Sequence, residues 1–202
     1  MKKFLLLCAS ILVFGSAQSA NAIPINFDVD ASQSSVEITN VSTWPNGWTS
    51  ISAILDTGLD SEIFSLNDGE SYTFDFFQIT VDGLGTGTAD IEATLAFEQP
   101  SGSEITGNGS GWWGTIYGVI SAGYLGWVDM PQAITLANGD YFDVDFEDVA
   151  VVGFGNSTTV SATVTAHAAP VPEPTTILLS GIGLLGMGFY LRKRKLRSQK
   201  VD

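Results

Sequence analysis

The middle of the chain alternates between apolar and polar positions in a way that predicts strands. In residues 71–83, Tyr72, Phe74 and Phe76 alternate with Thr73 and Asp75, and then Phe77, Ile79 and Val81 take over on the other parity. Side chains of a strand point to its two faces in turn, so one extra residue moves an apolar series across. A β-bulge is therefore expected between Phe76 and Phe77. Ile91, Ala93, Leu95 and Phe97 alternate with Glu92, Thr94 and Glu98, and Phe142, Val144 and Phe146 with Asp143, Asp145 and Glu147. Val160, Ala162 and Val164 continue the pattern. Asn67-Asp68-Gly69, Asp82-Gly83, Asn108-Gly109 and Asn138-Gly139 read as turns between such runs. No stretch of the body reads as a soluble helix. About ten short strands, each with one polar face, predict an all-β ectodomain, an antiparallel β-sandwich or a jelly roll.

The two ends follow other patterns. Lys2 and Lys3, the mainly apolar run from Phe4 to Phe14, and Ala20 and Ala22 around Asn21 are the three parts of a secretory signal peptide. Cleavage is expected after Ala22. Cys8, the single cysteine, follows bulky Leu7 within that run, which is no lipid-attachment context, and it leaves with the signal. The mature chain then enters an oxidising compartment without a disulfide, so its core must hold it together. At the far end, residues 177–191 carry no charge. As a helix they would span about 22 Å, against a hydrocarbon core of about 30 Å. A short C-terminal transmembrane helix is predicted over 175–191, suited to a temporary hold. Arg192, Lys193, Arg194, Lys195 and Arg197 follow it, and basic residues beside a span stay on the cytoplasmic side. The body therefore faces out. Gly181-Ile182-Gly183-Leu184-Leu185-Gly186 fits the dinucleotide fingerprint, but it lies inside the apolar segment with no strand before it, and its glycines are read as thinning a membrane helix.

Between body and span, Pro170, Pro172 and Pro174 remove backbone donors and fix φ, predicting an extended linker over 168–174. Glu173 between two prolines is an unusual choice for a spacer. Val171-Pro172-Glu173-Pro174, a short span and a terminal Arg/Lys cluster together resemble the PEP-CTERM sorting signal of Gram-negative bacteria. The resemblance implies recognition by a membrane enzyme, exosortase. That enzyme would cut near the Pro-Glu-Pro and release or reattach the body outside the cell, after a transient stay in the inner membrane. It covers roughly the last thirty residues and implies nothing about the body, because the same tail is attached to many unrelated domains.

Charge changes the picture of the body. The chain carries a net charge of −14, but all eight Lys and Arg lie before residue 23 or after residue 191. Twenty of the twenty-two acids lie in residues 23–169, Glu173 and Asp202 being the other two, so the body carries −20. Its carboxylates must be solvated, hydrogen-bonded to backbone, or met by metal ions. Nucleic acid is excluded as a partner, since that affinity comes from cations on phosphates. Schiff-base chemistry and phosphate clamps have no residue to use. With no mature cysteine, thiol nucleophiles and thiolate zinc sites are also excluded. His167, the one histidine, reads as lying in the approach to the linker, outside any Ser-His-Asp arrangement. A carboxylate pair of the glycosidase kind survives this elimination, with no pattern to single out the pair.

Two stretches remain as candidates. Asp143, Asp145 and Glu147 recur at i, i+2 and i+4, with Asp140 and Asp148 beside them. Counted from Asp143, the sixth and twelfth places hold Asp148 and Phe154, where an EF-hand needs glycine and glutamate. The series is either the solvent face of a strand or a weak Ca²⁺ site of another kind. Trp112 and Trp113 are adjacent, so in a strand one faces the core and the other is exposed, free to stack on sugars of an exopolysaccharide matrix. Trp44 and Trp48 flank Pro45-Asn46-Gly47 and are expected to brace that turn.

The organisation expected is a signal peptide (1–22), a β-ectodomain (23–167), a linker with the Pro-Glu-Pro motif (168–174), a transmembrane segment (175–191) and a basic cytoplasmic tail (192–202). The function expected is that of an exported, non-enzymatic surface or matrix protein sorted by an exosortase. The alternatives are a carbohydrate-binding module of the exopolysaccharide matrix and, third, a carboxylate-dependent glycosidase. No cofactor is required, Ca²⁺ being the one candidate.

Overall fold

Each alternating run folds as a strand in the structure, a computed structural model that describes residues 23–116, 119–155, 157–169, 183–184 and 186–187. The predicted signal peptide with Ala20 and Ala22, the Val171–Pro174 motif, the basic residues 192–197 and most of the apolar segment lie outside these residues. Gly183, Leu184, Gly186 and Met187 are helical. No helix among the described residues is long and apolar enough to cross a membrane.

Residues Ile23–Ala169 form one unit. Its strands are β1 (Ile25–Val29), β2 (Ser35–Trp44), β3 (Thr49–Leu55), β4 (Ile63–Leu66), β5 (Ser71–Gly83) and β6 (Gly85–Gln99). They continue with β7 (Ser103–Ile116), β8 (Val119–Trp127), β9 (Gln132–Thr135), β10 (Tyr141–Phe146), β11 (Val149–Gly155) and β12 (Ser157–His167). One sheet runs β11-β8-β7-β6-β1-β4, with β2 also on β6, and the other runs β3-β5-β12-β10-β9. Every pairing is antiparallel. The body is all-β, as its periodicity predicts.

The parity change in β5 is a bulge. Val160 pairs with Phe77 but Ser161 with Asp75, so Phe76 is the extra residue and both phenylalanines turn inward, fully buried. The two sheets share one core. Phe142 of β10 meets Phe27 of β1 and Phe97 of β6 edge-on, with ring centroids 5.1 and 5.6 Å away, and Phe76 meets Phe146 at 5.0 Å. Between Ile51, Ile79, Ile91 and Trp113 an apolar cavity of ≈ 40 Å³ remains. It has an apolar lining and room for about three waters.

Two expectations are corrected. Asn108-Gly109 is not a turn but the middle of β7, with Gly109 paired to Ile91 and Trp127. A Cβ on Gly109 would stand 3.0 Å from Trp127 Cε3 and 3.1 Å from Leu125 Cδ1, so the glycine serves close packing and not chain reversal. His167, read as lying in the approach to the linker, is the last residue of β12, opposite Tyr141. The body also runs two residues past its predicted limit, because the Ala168 and Ala169 N–H groups donate to Asp68 Oδ1 (2.9 Å) and Asp140 Oδ1 (2.7 Å). At Asp82-Gly83 the predicted turn is real. Gly83 has φ +93°, and a side chain there would collide with the Trp48 carbonyl.

Many acids of the body are satisfied locally, in place of the Lys and Arg salt bridges they cannot make. Asp30 accepts from Ser32 Oγ, Ser32 N–H and Gln33 N–H, the hydroxyl most of all holding its carboxyl below the ordinary range. Glu70 is held down in the same way, first by the Asn67 N–H and then by its side-chain amide. Asp56 takes the Gly58 N–H at 2.7 Å. Polar side chains donating to carboxylates stand where lysines would be elsewhere.

Candidate functional site

The chemistry-bearing side chains of the body gather on β7 and β8 and along β10. In the β7–β8 hairpin Trp113 pairs with Gly123 and Trp112 with Tyr124. Trp113 is buried and its Nε1–H donates to Thr49 Oγ1 of the other sheet at 3.2 Å. Opposite it, Gly87 leaves space for the indole, since a Cβ there would fall 2.7 Å from Cη2. Trp112 is 50% exposed. One indole in and one out is the arrangement that adjacency in a strand demands.

Sequence reasoning placed Asp148 beside the acidic series but named neither Tyr124 nor Gly126. Tyr124 is 44% exposed. Its ring lies over Gly126, where an added Cβ would stand 2.8 Å from Cε1 and Cζ. Its hydroxyl donates to Asp148 Oδ2 (3.2 Å), which holds the phenol pKa above its usual value. Asp148 Oδ1 accepts the Trp127 N–H at 3.0 Å. The Gly-Tyr-Leu-Gly-Trp run at 123–127, with glycines interleaving aromatics, is the signal that could have pointed there.

Trp44 and Trp48 do not pack beneath their turn. They are 75% and 62% exposed, and the turn is braced by backbone groups, Trp48 N–H to the Pro45 carbonyl and Gly47 N–H to Thr43 Oγ1.

Asp143 and Asp145 share one face of β10 and Glu147 follows its end, and the three go separate ways. Asp143 Oδ2 meets His167 Nε2 at 2.9 Å, an ion pair whenever the imidazole is protonated, and the imidazole stacks on Tyr141 with centroids 4.5 Å apart. Asp145 and Glu147 line a groove of ≈ 600 Å³ with Asp148, Trp127, Met130 and Thr163. Alternate residues of a strand stand about 7 Å apart, too far for three of them to share one cation at carboxylate–Ca²⁺ distances of about 2.4 Å. Among the described residues no three His, Asp or Glu side chains gather into a metal-binding group.

Burial against the groove wall, and then the charge of Asp148, push the Asp145 carboxyl above its ordinary 3.8. A carboxyl raised in the folded state disfavours folding once ionised, and that penalty disappears as pH falls through the raised value toward 3.8. Asp30 and Glu70, held low, act with the opposite sign: their contribution is present above the unfolded carboxylate range and is lost as pH falls through their depressed values. Asp145→Asn is therefore expected to melt slightly higher than wild type at pH 7, the gap closing on acidification to about pH 4. Thermal melts of both proteins across that range check this, and a variant that melts lower at pH 7 contradicts it.

The sorting residues Val171, Pro172, Glu173 and Pro174 and the basic cluster Arg192–Arg197 lie beyond Ala169, outside the described residues. No curated protein and no solved structure matches the chain. A family model does match its C-terminal part: residues 170–195 are a PEP-CTERM protein-sorting motif.

Proposed function

We propose that the chain is an exported, non-enzymatic surface protein whose destination is set by its tail and whose body is a disulfide-free acidic β-domain displayed outside the cytoplasm. The observation that carries this reading is the sorting motif at residues 170–195. In it, residues 1–22 direct export and are removed after Ala22. Residues 175–191 hold the precursor in the inner membrane, and the basic cluster from Arg192 fixes the tail inside. An exosortase then acts at Val171–Pro174 and passes the body to the surface or the extracellular matrix. The partition of charge supports the same topology, since every Lys and Arg lies in the segments expected to be removed or retained inside. In cells lacking the exosortase, pulse-labelled protein is expected to stay in the inner-membrane fraction at the mass of the signal-cleaved precursor. Release at the wild-type rate from such cells contradicts the reading.

A second reading, a carbohydrate-binding module of the exopolysaccharide matrix, is favoured by the half-exposed Trp112 opposite the half-exposed Tyr124.

A further inference from the structure

The outer face of the seven-stranded sheet presents aromatic rings that the core does not use. Trp112 on β7 and Tyr124 on β8 stand opposite each other, and Trp44 on β2, opposite Thr86, continues the face. Single exposed apolar residues are ordinary on any protein. Three features set this group apart. The phenol end of Tyr124 lies over Gly126, in a position that a side chain at 126 would block, and the residue stays 44% exposed. The ring is fixed there by the bond from its hydroxyl to Asp148, itself held by the Trp127 N–H. Finally, the strand neighbours are small or hydroxylic: Ser42 and Thr88 share the row of Trp112, and Gly114 and Ala122 the next. The result is a face of low relief with hydroxyls at its margin and no cation.

We propose that this face binds a neutral polysaccharide, with pyranose rings stacked on Trp112 and Tyr124 and sugar hydroxyls meeting Ser42 and Thr88. The inference rests on the carbohydrate-binding reading and gives it a site and a ligand class. The C–H face of a pyranose is apolar and edge-positive, complementary to the negative face of an aromatic ring. A ring already immobilised loses little freedom on binding. Acidic glycans are refused by charge, because the body carries −20 and has no Lys or Arg. Position also suits the role. Strand β6 starts at Gly85, straight after β5 ends at Gly83, whereas β12 closes beside Ser71 at the start of β5. Thr88 and Trp112 therefore lie toward the end of the body away from Ala169, where the chain leaves it.

The test titrates the full-length chain, in a detergent without a sugar headgroup, with cellohexaose, mannohexaose, xylohexaose and hexagalacturonate, reading heat and tryptophan fluorescence. Binding is expected to at least one neutral hexaose and not to hexagalacturonate. Trp112→Ala and Gly126→Ala, the latter lifting the tyrosine ring without removing it, are each expected to weaken binding at least about tenfold. Tyr124→Phe, which keeps the ring but frees it from Asp148, weakens binding less than either, and all three variants keep the wild-type melting midpoint. Undiminished binding in Trp112→Ala and Gly126→Ala overturns this site and leaves the carbohydrate-binding reading standing. Failure of every neutral hexaose overturns both. Preference for hexagalacturonate overturns the ligand class, and a dimer dissociated by Trp112→Ala would give the face to a second copy of the chain instead.

Discussion

Phe142→Ala is expected to destabilise the body by about 3–5 kcal/mol, the range for a buried phenylalanine truncated in a core that only partly collapses around the loss. Phe142 has no exposed surface, and it belongs to the five-stranded sheet while its two edge-on partners, Phe27 and Phe97, belong to the seven-stranded one. Phe27 is in turn stacked on Phe64 at 5.0 Å. Truncation at 142 thus opens the joint between the sheets. Nothing else can compensate: residues 23–169 have no cysteine, Lys or Arg, and their one ion pair among the described residues, His167–Asp143, is partly exposed. Against a typical domain stability of about 5–15 kcal/mol, the loss takes about a fifth or more of the total. Urea unfolding of the full chain, followed by tryptophan fluorescence, reads it as a lower midpoint at unchanged slope. Tyr141→Ala, next in sequence but on the outer face, is expected to cost far less. Equal losses at 141 and 142 contradict the assignment of the joint.

Those inward positions were legible because burial on one face imposes a period of two, and a bulge leaves a visible fault in it at Phe76-Phe77. The same rule told that Trp112 and Trp113 must part company. Long-range register was not legible. Counted back from the Ile116–Val119 pair, a regular hairpin sets Trp112 opposite Gly123, but a register shift between Gly114 and Thr115 sets it opposite Tyr124. Asn108-Gly109 was misread because that dipeptide serves tight turns and tight packing alike, and only the presence of Trp127 and Leu125 above it tells which. The Asp143–His167 pair joins neighbouring strands twenty-four residues apart, a contact that follows from register alone. The tail, by contrast, was read from a contiguous motif, which needs no register.

Glu173→Ala is the second change with a large expected effect, and it should leave the fold untouched. The body ends at Ala169, tied to Asp140, before the motif begins. Glu173 is the only charged residue between Asp148 and Arg192 apart from a protonated His167, and its neighbours Pro172 and Pro174 offer no N–H. For an enzyme reading this strip, the carboxylate is the one strong handle. Removing one partner of a desolvated charged contact costs about 2–5 kcal/mol, so processing should slow on the order of thirtyfold or more. Thermal melts of the variant should match wild type while the precursor accumulates in the inner membrane. Normal release of the variant, or a lowered melting midpoint, contradicts this division between folding and sorting.

The most direct measurement is the intact mass of the protein recovered outside wild-type cells, because one number reports both cleavage points. The account predicts a chain that starts at Ile23, retains the body through Ala169, and has lost the apolar segment and basic tail beyond Pro174. Extracellular protein that still carries residues 175–202 would contradict it.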